Sequence, residues 1–325
     1  ESHSAKNKSS IFPSPLKRFI KPYCNADHAW SKMLSFITSF YRFINPPPEQ
    51  PFPIEYNAQW HEIETLKYFD QVGRSLLRKQ LKKINARKQI VICFTNRCGS
   101  NWLAELLYAT GLMGLADEFF NTERIKESCD TNQLDSFDDF VRHLPNNHST
   151  VNKVFATKLS WDQLYFLSRL KVIPNIIPRP QFIYIVRNDV AAQALSLLVA
   201  QQTGQWKSNW NSGINGKVNF ETLGDEQIIE VIAEIQFAQS QFELYFDTLG
   251  LKPYRVCYED LQKEPELIIE EIIRYLKIST PKAWRIHPAN LQLEKQRDAQ
   301  SEKRLAQFHH NTNHRYVFSS HRSIG

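Results

Sequence analysis

Short, almost wholly apolar runs separated by longer stretches of helical periodicity constrain this chain more than any other feature. "QIVICF" (89–94), "VFATKLSW" (154–161), "QFIYIVR" (181–187) and "YRVCYEDL" (254–261) each carry strand character, the second of them turning into a helix. Helices are predicted at 101–110, 162–171, 188–202, 225–249 and 264–276. Regular strand–helix alternation implies crossover connections, hence an α/β fold with a central parallel sheet and helices on both faces. The tail, 291–325, reads as polar and partly helical.

Residues 1–85 lie ahead of this pattern and read as a partly helical N-terminal extension to a main domain at 86–325. Within it, 28–44 carries apolar residues at helical spacing, which suits a helix packed on the main domain or lying on a membrane surface. "NPPPEQPFP" (45–53) breaks regular structure and reads as a linker. A long helix is predicted over 58–84, with a basic end in Arg78, Lys79, Lys82, Lys83, Arg87 and Lys88. That end is a solvated face or a contact for an anionic membrane. The extension as a whole reads as a lid, a homodimer element or a peripheral membrane contact.

Composition narrows the function. At 42% hydrophobic and 12% aromatic, the chain can build a packed core. A net charge of +6 suits an anionic ligand, and no nucleic-acid recognition motif accompanies it, so nucleic acid is not an expected partner. The five cysteines, Cys24, Cys93, Cys98, Cys129 and Cys257, are odd in number and lack metal-site spacing. They indicate a reducing, cytoplasmic setting and no bound metal. No apolar run is long enough to span a bilayer, and the first residues do not read as a signal peptide.

The sharpest local feature is "FTNRCGSNW" (94–102), a tight turn between the first strand and a helix. Gly99 lets the backbone close around an oxyanion, and the amides of Gly99, Ser100, Asn101 and Trp102 open a helix N-terminus. Arg97 adds a delocalised cation that grips two oxygens at once. The plainer reading is an ordinary turn with a surface arginine. A second strand tip, Arg187 followed by a helix bearing Ser196, offers another anion clamp.

These residues carry a resemblance. "FTNRCGSNWLAELLYATGLMGLADEFF" (94–120) resembles the first motif of sulfotransferases, in particular the bacterial carbohydrate family typified by trehalose 2-sulfotransferase. "YIVRNDVAAQALSLLVAQQTGQW" (184–206) is similar to that family's second motif, and "TKLSW" (157–161) to its Lys-Leu-x-Trp segment. "EKQRDAQSEK" (294–303) resembles its weaker C-terminal pattern. The family departs from this chain at Cys98, where Ser is usual, at Asn101 for Thr, at Lys295 for Arg and at Arg304 for Trp. The resemblance implies a P-loop NTPase-like sulfotransferase fold and a donor, 3'-phosphoadenosine-5'-phosphosulfate, leaving as adenosine 3',5'-bisphosphate without a metal. By the resemblance the donor would be held by Arg97, Cys98, Gly99, Ser100, Asn101 and Trp102 at one end. Arg187 and Ser196, with Lys295, Gln296 and Ser301, would hold the other. A kinase's Gly-Lys-Ser/Thr is absent because that Lys and Ser/Thr serve a γ-phosphate and its Mg²⁺.

For the acceptor, the resemblance makes Glu118 of "ADEFF" (116–120) the general base, with Asp117 as the rival carboxylate and Phe119 beside it. Arg97 and Lys158 are candidates to stabilise growing charge, although Lys158 also reads as a surface lysine. Trp161, Gln202 and Trp206 are candidates to line an acceptor or adenine pocket, or are simply core. The expected acceptor is a hydroxyl of a carbohydrate or glycolipid. A nucleotide kinase and a non-catalytic anionic-lipid or glycan-binding protein are the competing readings.

Overall fold

The computed structural model describes residues 60–77, 82–204, 206, 218, 220–280, 284 and 299–319, all within one compact unit spanning Ala58–Gly325. The helix expected over 28–44, the linker at 45–53, and Lys295 and Gln296 lie outside the described residues.

Four strands, β1 (Lys88–Cys93), β2 (Val154–Leu159), β3 (Gln181–Val186) and β4 (Tyr254–Cys257), form a parallel sheet in the order β2-β1-β3-β4. Helix α1 (Trp60–Gln71) precedes β1, and α2 (Ser100–Ala109), α3 (Thr122–Thr131) and α4 (Phe137–His148) lie between β1 and β2. Helix α5 (Trp161–Arg169) joins β2 to β3, and α6 (Val190–Thr203) and α7 (Asp225–Leu249) join β3 to β4. Helices α8 (Tyr258–Lys263), α9 (Pro265–Tyr275) and α10 (Ala299–Ser319) follow.

The strands are apolar at nearly every position because both faces are covered. Their period of two sends Ile90, Ile92, Ala156, Ile183, Ile185 and Val256 to one face, against Leu103 and Leu107 of α2 and Ile269 and Ile272 of α9. The opposite face is aromatic. Tyr184 and Phe182 meet Phe242 and Phe246 of α7 at ring separations of 5.2 and 5.6 Å. The α/β architecture expected from the sequence is therefore the one observed. The chain leaves β1 for β2 on one side, while β3 lies on the other. In such sheets the crevice at the carboxyl ends of the strands on either side of that reversal is where ligands bind.

After α2 the chain climbs back along the outer edge of β2. Asn152 donates to the Leu112 carbonyl (2.8 Å), Gly114 N–H to the Val154 carbonyl (3.4 Å) and Lys158 N–H to the Asp117 carbonyl (3.0 Å). This climb carries Glu118 to the carboxyl edge of the sheet. It passes so close to the end of α4 that a Cβ on Gly114 would stand 1.8 Å from the His148 carbonyl oxygen.

The structure departs from the sequence reading at three places. The helix expected over 58–84 is shorter: α1 ends at Gln71, followed by Gly73 at φ +63°. It packs against the main domain through Tyr68–Asp130 (2.6 Å) and the Arg169–Glu62 ion pair (3.1 Å). The strand expected over 254–261 stops at Cys257, where helix α8 begins. Helices α3 and α4 have no counterpart in the sequence reading. Both begin at N-caps: the Asn121 side chain accepts from Glu123 N–H (3.1 Å), and Ser136 Oγ from Asp139 N–H (3.2 Å).

Gly114→Ala forces a methyl into backbone, so we expect a loss of about 1–3 kcal/mol, as overpacking typically costs. Chemical denaturation of the variant checks this; an unchanged midpoint would mean that the β2 edge yields freely.

Candidate active site

The loop after β1 is shaped by two left-handed residues, Arg97 at φ +66° and Gly99 at φ +92°. Gly99 is required twice over, because a Cβ there would also stand 2.4 Å from the Tyr258 ring. Cys98 N–H closes the turn onto the Thr95 carbonyl (3.3 Å), and Leu103 N–H returns to the Gly99 carbonyl (3.1 Å) as α2 begins. Gln193 of α6 braces the loop from behind, donating to Thr95 Oγ1 (2.9 Å) and the Asn96 carbonyl (2.6 Å). The first amides of α2 open toward the carboxyl edge of the sheet, as the first turn of any helix leaves them.

Two arginines converge here. Arg187, at the tip of β3, donates from Nη1 to the Arg97 carbonyl (3.4 Å) and lies over the Tyr258 ring at 5.0 Å. Arg97 donates from Nε to Ser196 Oγ (3.0 Å) and from Nη1 to the Trp206 carbonyl (2.7 Å). Burial and the like charge of Arg187 hold the Arg97 guanidinium below its ordinary range. A protein does not place two cations this close without cost, and an anion between them relieves it. The sequence suggested separate clamps, one with Arg97 and one with Arg187 and Ser196. The structure joins them, since Arg97 of the first loop is hydrogen-bonded to Ser196 of the second.

The β3 tip is held by a carboxylate that sequence reasoning missed. Glu259 accepts from the amides of Asn188 (3.1 Å) and Asp189 (3.2 Å) and from the Cys257 thiol (3.1 Å). Burial alone would raise its pKa, but these donors together hold it below the ordinary carboxylate range. Asp189 caps α6, its side chain accepting from Ala192 N–H at 2.9 Å.

The second half of the site centres on Lys158, only 1% exposed, on the α2 face of β2. Its ammonium donates to Asn101 Oδ1 and to Glu118 Oε1 (3.2 Å), and lies 5.4 Å from the Phe94 ring centroid. A lysine has three N–H donors, and these two bonds use two of them. Glu118 is about one-third exposed (32%), so its carboxylate is tethered inward and open outward. Asp117 turns away: it accepts from Glu118 N–H (2.9 Å) and pairs with Arg124 (3.4 Å).

The chain itself now meets its relatives. A family model described as Stf0 sulphotransferase matches residues 89–311. The chain belongs to the Stf0 sulphotransferase family. A trehalose 2-sulfotransferase of Mycobacterium tuberculosis is 23% identical over 226 residues, covering 58% of this chain and 84% of the relative. Among solved structures, the sulfotransferase domain of the Synechococcus PCC 7002 olefin synthase superposes with a TM-score of 0.42 at 13% identity, covering 71% of this chain and 98% of that chain. A sulfotransferase from Alicyclobacillus acidocaldarius gives 0.39 at 15% identity, covering 74% and 98%.

Not every residue singled out in this sulphotransferase lies at the crevice. Trp161 is only 3% exposed and packs edge-on against Phe242 (5.6 Å), in the aromatic core beneath the site rather than on its surface. Phe119 is buried against His148 and Phe155. Cys98 has its side chain in the core, 0% exposed, and burial pushes its thiol up to about 11. Gln202 is exposed on the last turn of α6, and Ser301 is half-buried on α10. Trp102 is half-buried, with its indole N–H buried and without an acceptor among the described residues.

Besides Glu259, Tyr258 and His61 carried no signal in the sequence reading. Tyr258 lies between Gly99 and Arg187. His61 of α1, ahead of the residues matched by the family model, accepts at Nδ1 from Thr122 N–H (3.4 Å). Burial holds its imidazole below the ordinary range, against the opposing pull of Asp162, Glu118 and Glu123. Helix α1 thus ties onto the start of α3, just after the segment that carries Glu118.

Gly99→Ala should cost about 1–3 kcal/mol through the left-handed backbone alone, plus displacement of the Tyr258 ring. In a double-mutant cycle, Tyr258→Ala should therefore cost less in the Gly99→Ala background than in wild type; strict additivity would show that the two do not press on one another. With its thiol at about 11 and fully buried, Cys98 should resist iodoacetamide in the folded protein near neutral pH and react only on unfolding, read by peptide mass spectrometry.

Proposed function

We propose that this sulphotransferase takes its sulfuryl group from 3'-phosphoadenosine-5'-phosphosulfate and passes it to a carbohydrate hydroxyl, with Glu118 as general base and no metal. The observation that carries the reading is the chain Asn101–Lys158–Glu118, which ties the anion-binding loop to a partly exposed carboxylate.

The residues present fit such a donor. It is anionic at both ends, and the crevice supplies two converging guanidinium groups and a glycine cradle walled by Tyr258. When bound, the donor supplies a sulfuryl group whose leaving group is a phosphate. Arg97, Ser100, Asn101 and Trp102 would hold the phosphosulfate end, and Arg187 with Ser196 the 3'-phosphate. With Arg97 bonded to Ser196, the two ends would be gripped by one connected set of side chains.

Glu118 would take the proton of the acceptor hydroxyl. Lys158 keeps that carboxylate aimed at the crevice, and its ammonium also offsets negative charge developing on the loop side. The name of the relative, trehalose 2-sulfotransferase, supports a polyhydroxylated acceptor.

Calorimetry with adenosine 3',5'-bisphosphate tests the donor assignment. Arg187→Ala should weaken binding roughly 10–100-fold, the worth of a charge-assisted hydrogen bond of about 1.5–3 kcal/mol. Absence of saturable binding to the wild type would sink the donor reading. Glu118→Gln should bind the nucleotide normally while transfer to a glycan panel, read by mass spectrometry, falls by about 10²–10⁴. Undiminished turnover would remove Glu118 as the base and leave the donor reading standing.

A further inference from the structure

Lys83 and Arg87, from the basic run that ends at Lys88, are part of a larger surface. The amino ends of all four strands lie at the edge of the sheet opposite the crevice, and each is preceded by exposed cations. Arg87 precedes β1, Lys153 β2, Arg179 β3 and Lys252 β4, with Lys83 and Lys277 beside them. The segments leading into the strands, 82–87, 149–153, 170–180 and 250–253, contain no Asp or Glu. Nor does 276–280, after α9.

Hydrogen bonds join the segments before β1, β2 and β3 and the one after α9. Arg87 N–H donates to the Lys153 carbonyl (2.8 Å), Ile84 N–H to the Ile176 carbonyl (2.9 Å), and Lys88 Nζ to the Leu276 carbonyl (2.7 Å). The cations are close enough to act on one another: burial, then the charges of Arg87 and Lys277, draw the Lys88 ammonium below its ordinary range. Two apolar side chains stand out from the same edge. Val151, two residues before Lys153, is fully exposed, and Leu249, three before Lys252, is 53% exposed.

We propose that this edge is a docking surface for an anionic phospholipid bilayer. Lysines and arginines are drawn to the negative headgroups, and their alkyl stems tolerate the interface. Apolar side chains projecting between them add interfacial burial. A soluble polyanion would engage the cations alone and has no use for Val151 and Leu249, whereas a bilayer engages both. The strands are six residues long at most, so the crevice stands about 20 Å above the membrane and opens away from it. An enzyme docked this way meets acceptors arriving from water. The inference does not depend on the identity of the donor or the base.

Flotation of the full chain with phosphatidylcholine vesicles, with and without phosphatidylserine, tests it. Binding should require phosphatidylserine and weaken as salt rises. The Lys83→Glu/Lys153→Glu/Lys277→Glu variant should lose at least tenfold in vesicle affinity while binding adenosine 3',5'-bisphosphate, or failing that showing an unchanged melting temperature, like wild type. Val151→Asp should weaken vesicle binding at constant salt, and Arg187→Ala should not. Binding that survives the triple reversal would overturn the proposal, as would equal binding to both vesicle types. So would failure to bind either vesicle, even where heparin or duplex DNA is retained by the same cations.

Discussion

A buried ammonium organises this molecule's chemistry. Lys158 occupies the fifth position of a strand whose every residue is buried, and the strand's alternation sends it to the face covered by α2. A lysine in that position is tolerable only if its charge is answered, because an unpaired buried ammonium is among the most costly groups a fold can carry. Asn101 and Glu118 answer it, and each comes from a segment that must be built for the purpose. Asn101 is delivered by the first turn of α2, which requires the left-handed Gly99. Glu118 is delivered by the climb along β2, which requires Gly114 to pass beneath His148. The electrostatic need of one side chain thus accounts for two glycines and the path of some twenty residues.

The same logic runs through the arginine pair. Arg97 and Arg187 repel, and the contacts that position them include Ser196, the Trp206 and Arg97 carbonyls, and the Tyr258 ring. Glu259, a carboxylate at the β3 tip, is engaged by the Asn188 and Asp189 amides and the Cys257 thiol. Two guanidinium groups positioned side by side at the crevice, their places set in advance by contacts within the fold, suit a preorganised anion site.

What could be read in the sequence follows from which forces are local. The strands were legible because burial on both faces makes them apolar at every position, and a loop with Gly99 between strand and helix announces itself. Tyr258 was hidden because "YRVCYEDL" continues its apolar alternation past Cys257, and nothing local marks the point where α8 takes over. Helices α3 and α4 were missed since "TERIKESCDT" and "FDDFVRHLPNNH" are polar on average, and their Asn121 and Ser136 caps are single residues. The joining of the two anion clamps was beyond reach for a different reason. It depends on Arg97 adopting φ +66° and crossing to a helix nearly a hundred residues away, a tertiary fact with no periodicity. For Trp161 the sequence left two roles open, pocket lining or core, because an aromatic beside a motif suits either; in the fold it packs against Phe242.

The two ends of the sheet then differ in how their positive charge is employed. At the carboxyl end, cations are few, partly buried and individually oriented, and carboxylates such as Glu118 and Glu259 stand among them. At the amino end they are exposed and accompanied by no acid in the strand-leading segments. Buried, fixed charges in a low-dielectric crevice discriminate between anions by geometry. Exposed, long-stemmed charges spread over a face respond to surface potential and are screened within roughly 10 Å at moderate salt. Positive charge is therefore used in two ways, as a selective field at one edge of the sheet and a diffuse one at the other. Because the strands separate them by about two screening lengths, neither edge strongly perturbs the other, and the affinity of the crevice for its anion can be set independently of whatever the opposite face touches.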